Sequence, residues 1–177
     1  MAEHEPCIGA TDDWYTPLEI FKALGLTFDL DPCSPGEGHW VPARAIYTKD
    51  DDGLSRPWHG TVFMNPPFGG RFGHVPWLDK FLKHCDGIAI VRAYTSSSWW
   101  HDHMYRAEAI LFPRGKTKFV RPDGRIGRAP GHGIVLVAMG DKCRESLRNS
   151  GLGMYLDLTR QAFRRTSAPW KHPELAT

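Results

Sequence analysis

Thr61-Val62-Phe63-Met64-Asn65-Pro66-Pro67-Phe68-Gly69-Gly70 is the stretch from which the rest of this chain can be read. It opens as a short apolar run of the length of a buried strand. It then stops at two prolines, which cannot continue a ladder and which restrict the residues around them. The spacing predicts a strand over 61–64 that ends in a rigid, exposed turn. Such a turn can hold a flat, amino-bearing ring. The Asn65 side-chain carbonyl accepts hydrogen bonds, and Pro66 offers a backbone carbonyl with no N–H beside it. Pro67 stiffens the turn, and Phe68 provides an aromatic face for stacking.

Working outward, apolar strands alternate with helical patterns. Thr16-Pro17 opens a helix with Thr16 as N-cap, Ile20, Phe21 and Leu24 form its apolar face, and Gly25 ends it. Residues 27–31 alternate as a strand that stops at Pro32. Residues 32–60 read as one long irregular connection, a length usually tied to function. A helix follows over 76–85, then strands at 87–91, 109–112 and 134–139, with a short helix over 96–104 between them. Residues 113–131 read as a basic loop, and the chain after 139 as helix and tail. This alternation predicts an α/β fold with a mostly parallel central sheet flanked by helices. Sheets of that kind bind ligands beyond the carboxyl ends of their strands. Asp31-Pro32 and Asn65-Pro66 both stand at such ends.

The 177 residues suit one domain, expected over 13–165, with a mobile arm at 1–12 and a polar tail at 166–177. Net charge is +2, so any grip on nucleic acid has to be a local patch. Arg114, Lys116, Lys118, Arg121, Arg125 and Arg128 make one, opposed only by Asp123 and spaced by glycine and proline. Cys7, Cys33, Cys85 and Cys143 are far apart and form no C-x-x-C pair, which fits a reducing cytoplasm. No apolar run approaches bilayer length, and no membrane association is expected. His101 and His103 are poorly spaced for zinc, so no metal is expected. Trp99 and Trp100 read as core, or as a wedge for the gap left by an extruded base.

With these segments in order, the chain resembles the amino methyltransferases that use S-adenosylmethionine. Asn65-Pro66-Pro67-Phe68 is similar to their (Asp/Asn/Ser)-Pro-Pro-aromatic motif, and the Asn form resembles that of DNA adenine-N6 enzymes. Trp14-Tyr15-Thr16-Pro17 resembles the segment that touches the methionine end of the cofactor. Phe28-Asp29-Leu30-Asp31-Pro32-Cys33-Ser34 resembles the cofactor segment, although its glycines come late, at Gly36 and Gly38. Asp52-Gly53-Leu54 resembles the segment that holds the cofactor's adenine, with Asp50 and Asp51 as rival acids. Tyr94 to His101, and Ala129-Pro130-Gly131-His132-Gly133 after Phe112 and Phe119, look like the small phage and prophage DNA N-6-adenine-methyltransferases.

The resemblance implies a Rossmann-like S-adenosylmethionine-dependent enzyme acting on adenine N6 in double-stranded DNA. It makes Asn65, Pro66, Pro67 and Phe68 catalytic. It gives cofactor contacts to Thr16, Pro17, Asp31, Pro32, Cys33, Ser34, Asp52, Leu54 and Asn65. A chain this short implies a short or relaxed recognition site; oligomeric state stays open. Three alternatives share the motif: cytosine-N4 methylation, glutamine methylation in proteins, and a catalytically silent DNA-binding protein of the same fold.

Overall fold

The computed structural model describes residues 14–36, 38–69, 73–127 and 132–159. The expected arm at 1–12, the tail at 166–177 and Arg128 lie outside the described residues. Seven strands join in one sheet: β1 (Phe28–Asp31), β2 (Ala43–Ile46), β3 (Val62–Met64), β4 (Gly87–Arg92), β5 (Ala109–Pro113), β6 (Ile134–Met139) and β7 (Gly153–Asp157). The helices are α1 (Leu18–Leu24), α2 (Val75–His84), α3 (Ser98–His103) and α4 (Asp141–Asn149). The order across the sheet is β2-β1-β3-β4-β6-β5-β7.

The sheet is mixed, which corrects the expectation of a mostly parallel one. β2, β1, β3 and β4 are parallel neighbours, with Leu30 opposite Val62 and Met64 opposite Ala89. From β4 onward every interface is antiparallel, and two of these, β4–β6 and β5–β7, carry the longest registers. The cause is the β5–β6 connection. Among the described residues it returns without a helix, so β6 runs back between β4 and β5 instead of crossing over. Both β4 and β6 are buried on two faces, and a doubly buried strand is a continuous apolar run in either direction.

Successive residues of each strand feed opposite faces of the sheet. Leu30, Val62, Met64, Ala89 and Val91 pack under α2 (Leu78, Phe81, Leu82) and Trp99 of α3. Phe28, Phe63, Ile88, Ile90 and Leu136 pack under α1 (Ile20, Phe21, Leu24) and α4 (Cys143, Leu147).

Three local details differ from expectation. The N-cap of α1 is Pro17, not Thr16, whose hydroxyl is buried without a partner. The span 32–60 is not wholly irregular: it contains β2 and a 3-10 turn at Lys49–Asp51. The segment after α4 adds the edge strand β7. Gly25 does end α1, left-handed at φ 60°, its N–H bonded to the Phe21 carbonyl at 2.9 Å.

The sheet direction sets up a binding crevice. After β1 the chain moves outward to β2, then returns to place β3 on the other side of β1. That reversal is a topological switch point, where the carboxyl ends of neighbouring strands leave a gap. Asp31 ends β1, and Asn65 follows β3. Among the described residues no helix is long and apolar enough to cross a membrane.

Candidate active site

A cavity of about 340 Å³ opens at this switch point. Thr16, Asp31, Pro32, Cys33, Ser34, Asp52, Asn65 and Pro67 all line it. Pro17, Leu54, Pro66 and Phe68 do not. Of the three neighbouring acids, Asp52 reaches the cavity wall. Asp51 instead accepts hydrogen bonds from the Thr48 backbone N–H (2.8 Å) and hydroxyl (2.9 Å). Asp50 is exposed.

Asn65 has a defined orientation. Its Nδ2 donates to the Trp14 carbonyl at 3.1 Å. A carbonyl only accepts, so this partner fixes which end of the amide is which. The other end, Oδ1, is buried and has no partner. Leaving a buried acceptor unpaired costs about 1–3 kcal/mol, so the site is built to receive a donor.

Around Phe68 the backbone is clamped. Arg92, at the end of β4, donates from Nη2 to the Phe68 carbonyl at 2.7 Å. Its guanidinium carbon also stands 5.0 Å from the Phe68 ring centroid, a cation–π contact. His74 and His132 meet the same ring edge-on at 6.0 and 6.2 Å. His74 is fully buried with neither ring nitrogen bonded. Burial, helped by the Arg92 charge, pushes its pKa down to about 4, so it is a neutral imidazole.

Asp31 is the buried acid of the cavity. It is 3% exposed and accepts from the Cys33 backbone N–H at 3.2 Å. Among the described residues it makes no ion pair, and burial pushes its pKa up to about 7. The Cys33 thiol lies beside the Asp31 carboxyl, between the two strand ends. Burial and the neighbouring carboxylate raise the thiol's pKa, so it stays protonated.

The loop at 52–56 is held from below. Lys80 of α2 donates to the carbonyls of Gly53 (3.1 Å), Leu54 (2.7 Å) and Arg56. The Trp58 indole N–H donates to Gly53 at 2.7 Å. A Cβ on Gly53 would lie 1.9 Å from the Pro32 carbonyl oxygen, so only glycine lets this loop close on the end of β1.

Two isolated bridges hold the described part of the basic segment. Val120 pairs with Tyr15 on one side and Ile126 on the other. Arg114, Lys116, Lys118, Arg121 and Arg125 are all exposed on it. Arg125 is drawn 3.8 Å from Asp123, and Arg121 lies 5.6 Å from the Trp14 ring.

Trp99 is core, 4% exposed and 4.5 Å edge-on from His74, which removes it as a wedge. Trp100 stacks on Phe112. His103 bonds the Trp99 carbonyl at 2.9 Å, and no metal-binding cluster occurs among the described residues.

Sequence reasoning missed several contributors. Trp14, His39, Trp40, Thr48, Lys49 and Trp77 also line the cavity, and the Trp40 indole donates to the Thr16 carbonyl at 2.7 Å. Their ordinary spacing gives no signal, and Trp14 acts on Asn65 through its main chain. Arg92 did carry a signal, as a cation ending an otherwise apolar strand.

A family model described as DNA N-6-adenine-methyltransferase (Dam) matches residues 8–141. The chain belongs to this family. The Dam match takes in both strand ends of the cavity, the clamp on Phe68 and the basic segment, and stops at the first residue of α4. β7 therefore lies beyond the part that this chain shares with the Dam model. No curated protein matches the chain.

Proposed function

We propose that the protein is a DNA methyltransferase that places a methyl group from S-adenosylmethionine on the exocyclic N6 of adenine in double-stranded DNA. The observation that carries this reading is the buried, partnerless Oδ1 of Asn65, a residue of the switch-point cavity wall. A carbonyl oxygen held there calls for an N–H donor of the substrate.

The cavity residues fit the cofactor. Asp31 is a buried carboxylate without a cation, and an ammonium group is its natural complement. Asp52 accepts from the amino group of the cofactor's adenine, with Leu54 in the adjoining turn. Thr16 and Pro17 stand by the methionine end, and Pro32, Cys33 and Ser34 form the floor. When bound, S-adenosylmethionine supplies an already activated methyl group.

The chain's own task is to align and activate the acceptor. Adenine N6 is a weak nucleophile because its lone pair is shared with the ring. Asn65 Oδ1 and the Pro66 carbonyl accept its two N–H groups, which favours a pyramidal nitrogen and stabilises the positive charge that grows on it. N6 then releases one proton to water. Pro67 stiffens the turn and Phe68 stacks on the base, which must leave the duplex to arrive there. Arg114, Lys116, Lys118, Arg121, Arg125 and Arg128 contact phosphates. The described cysteines are all free, which suits a reducing cytoplasm.

The test is transfer of tritiated methyl to unmethylated plasmid DNA, followed by nucleoside analysis, for wild type and Asn65→Ala. N6-methyladenine made by the wild type and lost in the variant is the expected result. N4-methylcytosine, or no label on DNA with cofactor bound, overturns the assignment.

A further inference from the structure

We propose that Trp14 is a positioning residue for the transfer step, setting the Asn65 amide and tying it to the basic segment that carries Arg121. This rests on the methyltransferase reading above. A primary amide has two orientations of nearly equal shape. One presents Oδ1 to the acceptor's N–H groups; the other presents Nδ2, donor against donor. The Trp14 carbonyl, 3.1 Å from Nδ2, accepts only a donor and so selects the first.

That carbonyl is itself fixed. Tyr15 and Val120 exchange backbone hydrogen bonds at 2.8 and 2.9 Å, and Trp40 holds the Thr16 carbonyl at 2.7 Å. The Trp14 indole is gripped from the basic segment. Arg121 lies 5.6 Å from its ring, and a Cβ on Gly127 would fall 2.3 Å from indole Cζ3 and 2.9 Å from Cη2. Gly127 is buried, and its N–H bonds the Phe119 carbonyl at 2.8 Å. Its φ is not in the left-handed region, so a Cβ is excluded by its neighbours, first the indole and then the Phe119 carbonyl oxygen at 3.0 Å, and not by the backbone conformation. The phosphate-facing segment and the catalytic amide thus meet in one residue.

Gly127→Ala tests this without substituting a cavity residue, Asn65 or a cation, and acts through the Trp14 indole. Single-turnover methyl transfer is measured with saturating duplex and cofactor, alongside cofactor affinity by calorimetry and duplex affinity by anisotropy. A displaced indole shifts the carbonyl, and the bound-state rate falls by on the order of 100-fold, the usual cost of misplacing a reacting group by an ångström. Both affinities change far less. Trp14→Phe lacks the clashing atoms, so Trp14→Phe/Gly127→Ala recovers to the rate of Trp14→Phe alone. Trp14→Ala, which introduces no clash, loses bound-state rate independently of how Gly127→Ala folds.

Wild-type bound-state rates in Gly127→Ala or Trp14→Ala overturn the inference. So does a loss confined to either affinity, or a double variant no faster than Gly127→Ala. No transfer by the wild type overturns the underlying reading; transfer by wild type, Gly127→Ala and Trp14→Ala at equal bound-state rates overturns this inference alone.

Discussion

The backbone N–H of Cys33 donates to Oδ1 of Asp31 at 3.2 Å and is the one backbone hydrogen bond that lowers the pKa of that buried carboxyl. Desolvation outweighs it, and the pKa stands near 7 instead of 3.8. Between those values the folded chain keeps a proton that the unfolded chain has released. Stability of the unligated protein therefore falls as pH rises through that window.

Asp31→Asn is expected to raise the melting temperature of the unligated protein at pH 8 and to change it little at pH 4. The gain corresponds to about 1–4 kcal/mol of removed desolvation. A lower melting temperature for Asp31→Asn at pH 8 contradicts this account.

Cofactor affinity carries the opposite slope. An ammonium needs the carboxylate, so the affinity of wild type rises from pH 6 to pH 8 as Asp31 ionises. Asp31→Asn binds more weakly and shows a flat profile over that range. Calorimetry across pH decides it, and a wild-type profile without a slope sinks the assignment of Asp31 to the cation.

Asn65→Asp separates the two ends of the amide. The carboxylate still presents an acceptor to the substrate but cannot donate to the Trp14 carbonyl, so two acceptors face each other. Its single-turnover rate should lie between wild type and Asn65→Ala, with stability lowered by about 1–3 kcal/mol. Equal rates for Asp and Ala at this position would remove Oδ1 from the chemistry.

Lys80→Met removes the three donations to Gly53, Leu54 and Arg56, and the ammonium's contact with the Trp58 ring, while keeping an unbranched side chain. We expect cofactor affinity to fall about tenfold, the equivalent of one net hydrogen bond, and duplex affinity to hold. Unchanged cofactor binding would mean that the 52–56 turn needs no such tether.

Lys116→Ala and Arg114→Ala should weaken duplex binding by similar factors on every sequence tested. Each should reduce the slope of log affinity against log salt by about 0.9. An unaltered salt slope would place the phosphate path elsewhere on the surface.

How much of this was legible depended on whether the signal lay in side chains. Val62-Phe63-Met64 before two prolines marks a strand end on any reading, and Asp31-Pro32 does the same, so the two walls of the cavity were visible. Ala43-Arg44-Ala45-Ile46 was not, because β2 is a half-buried strand at the sheet edge with weak β-propensity. β7 failed for a related reason: at the opposite edge it alternates exposed Met154 and Leu156 with half-buried Tyr155. Strand direction was hidden because Ile134–Met139 is apolar throughout. The acid that reaches the cavity was fixed by the Thr48–Asp51 pairing, which three consecutive aspartates do not betray. The Trp14 carbonyl had no signature, since every residue carries one.

The place of β6 also governs the order in which the molecule can be completed. Residues 134–139 lie between β4 and β5 yet are synthesised after both. Until they emerge from the ribosome, β4 presents an unpaired apolar edge, and β5 has nothing to join it to the half that holds Asp31 and Asn65. A nascent chain stalled before residue 134 is thus a sticky intermediate, prone to strand exchange with its neighbours. β6, which contributes no side chain to the cavity, is the strand whose arrival joins the two halves of the sheet.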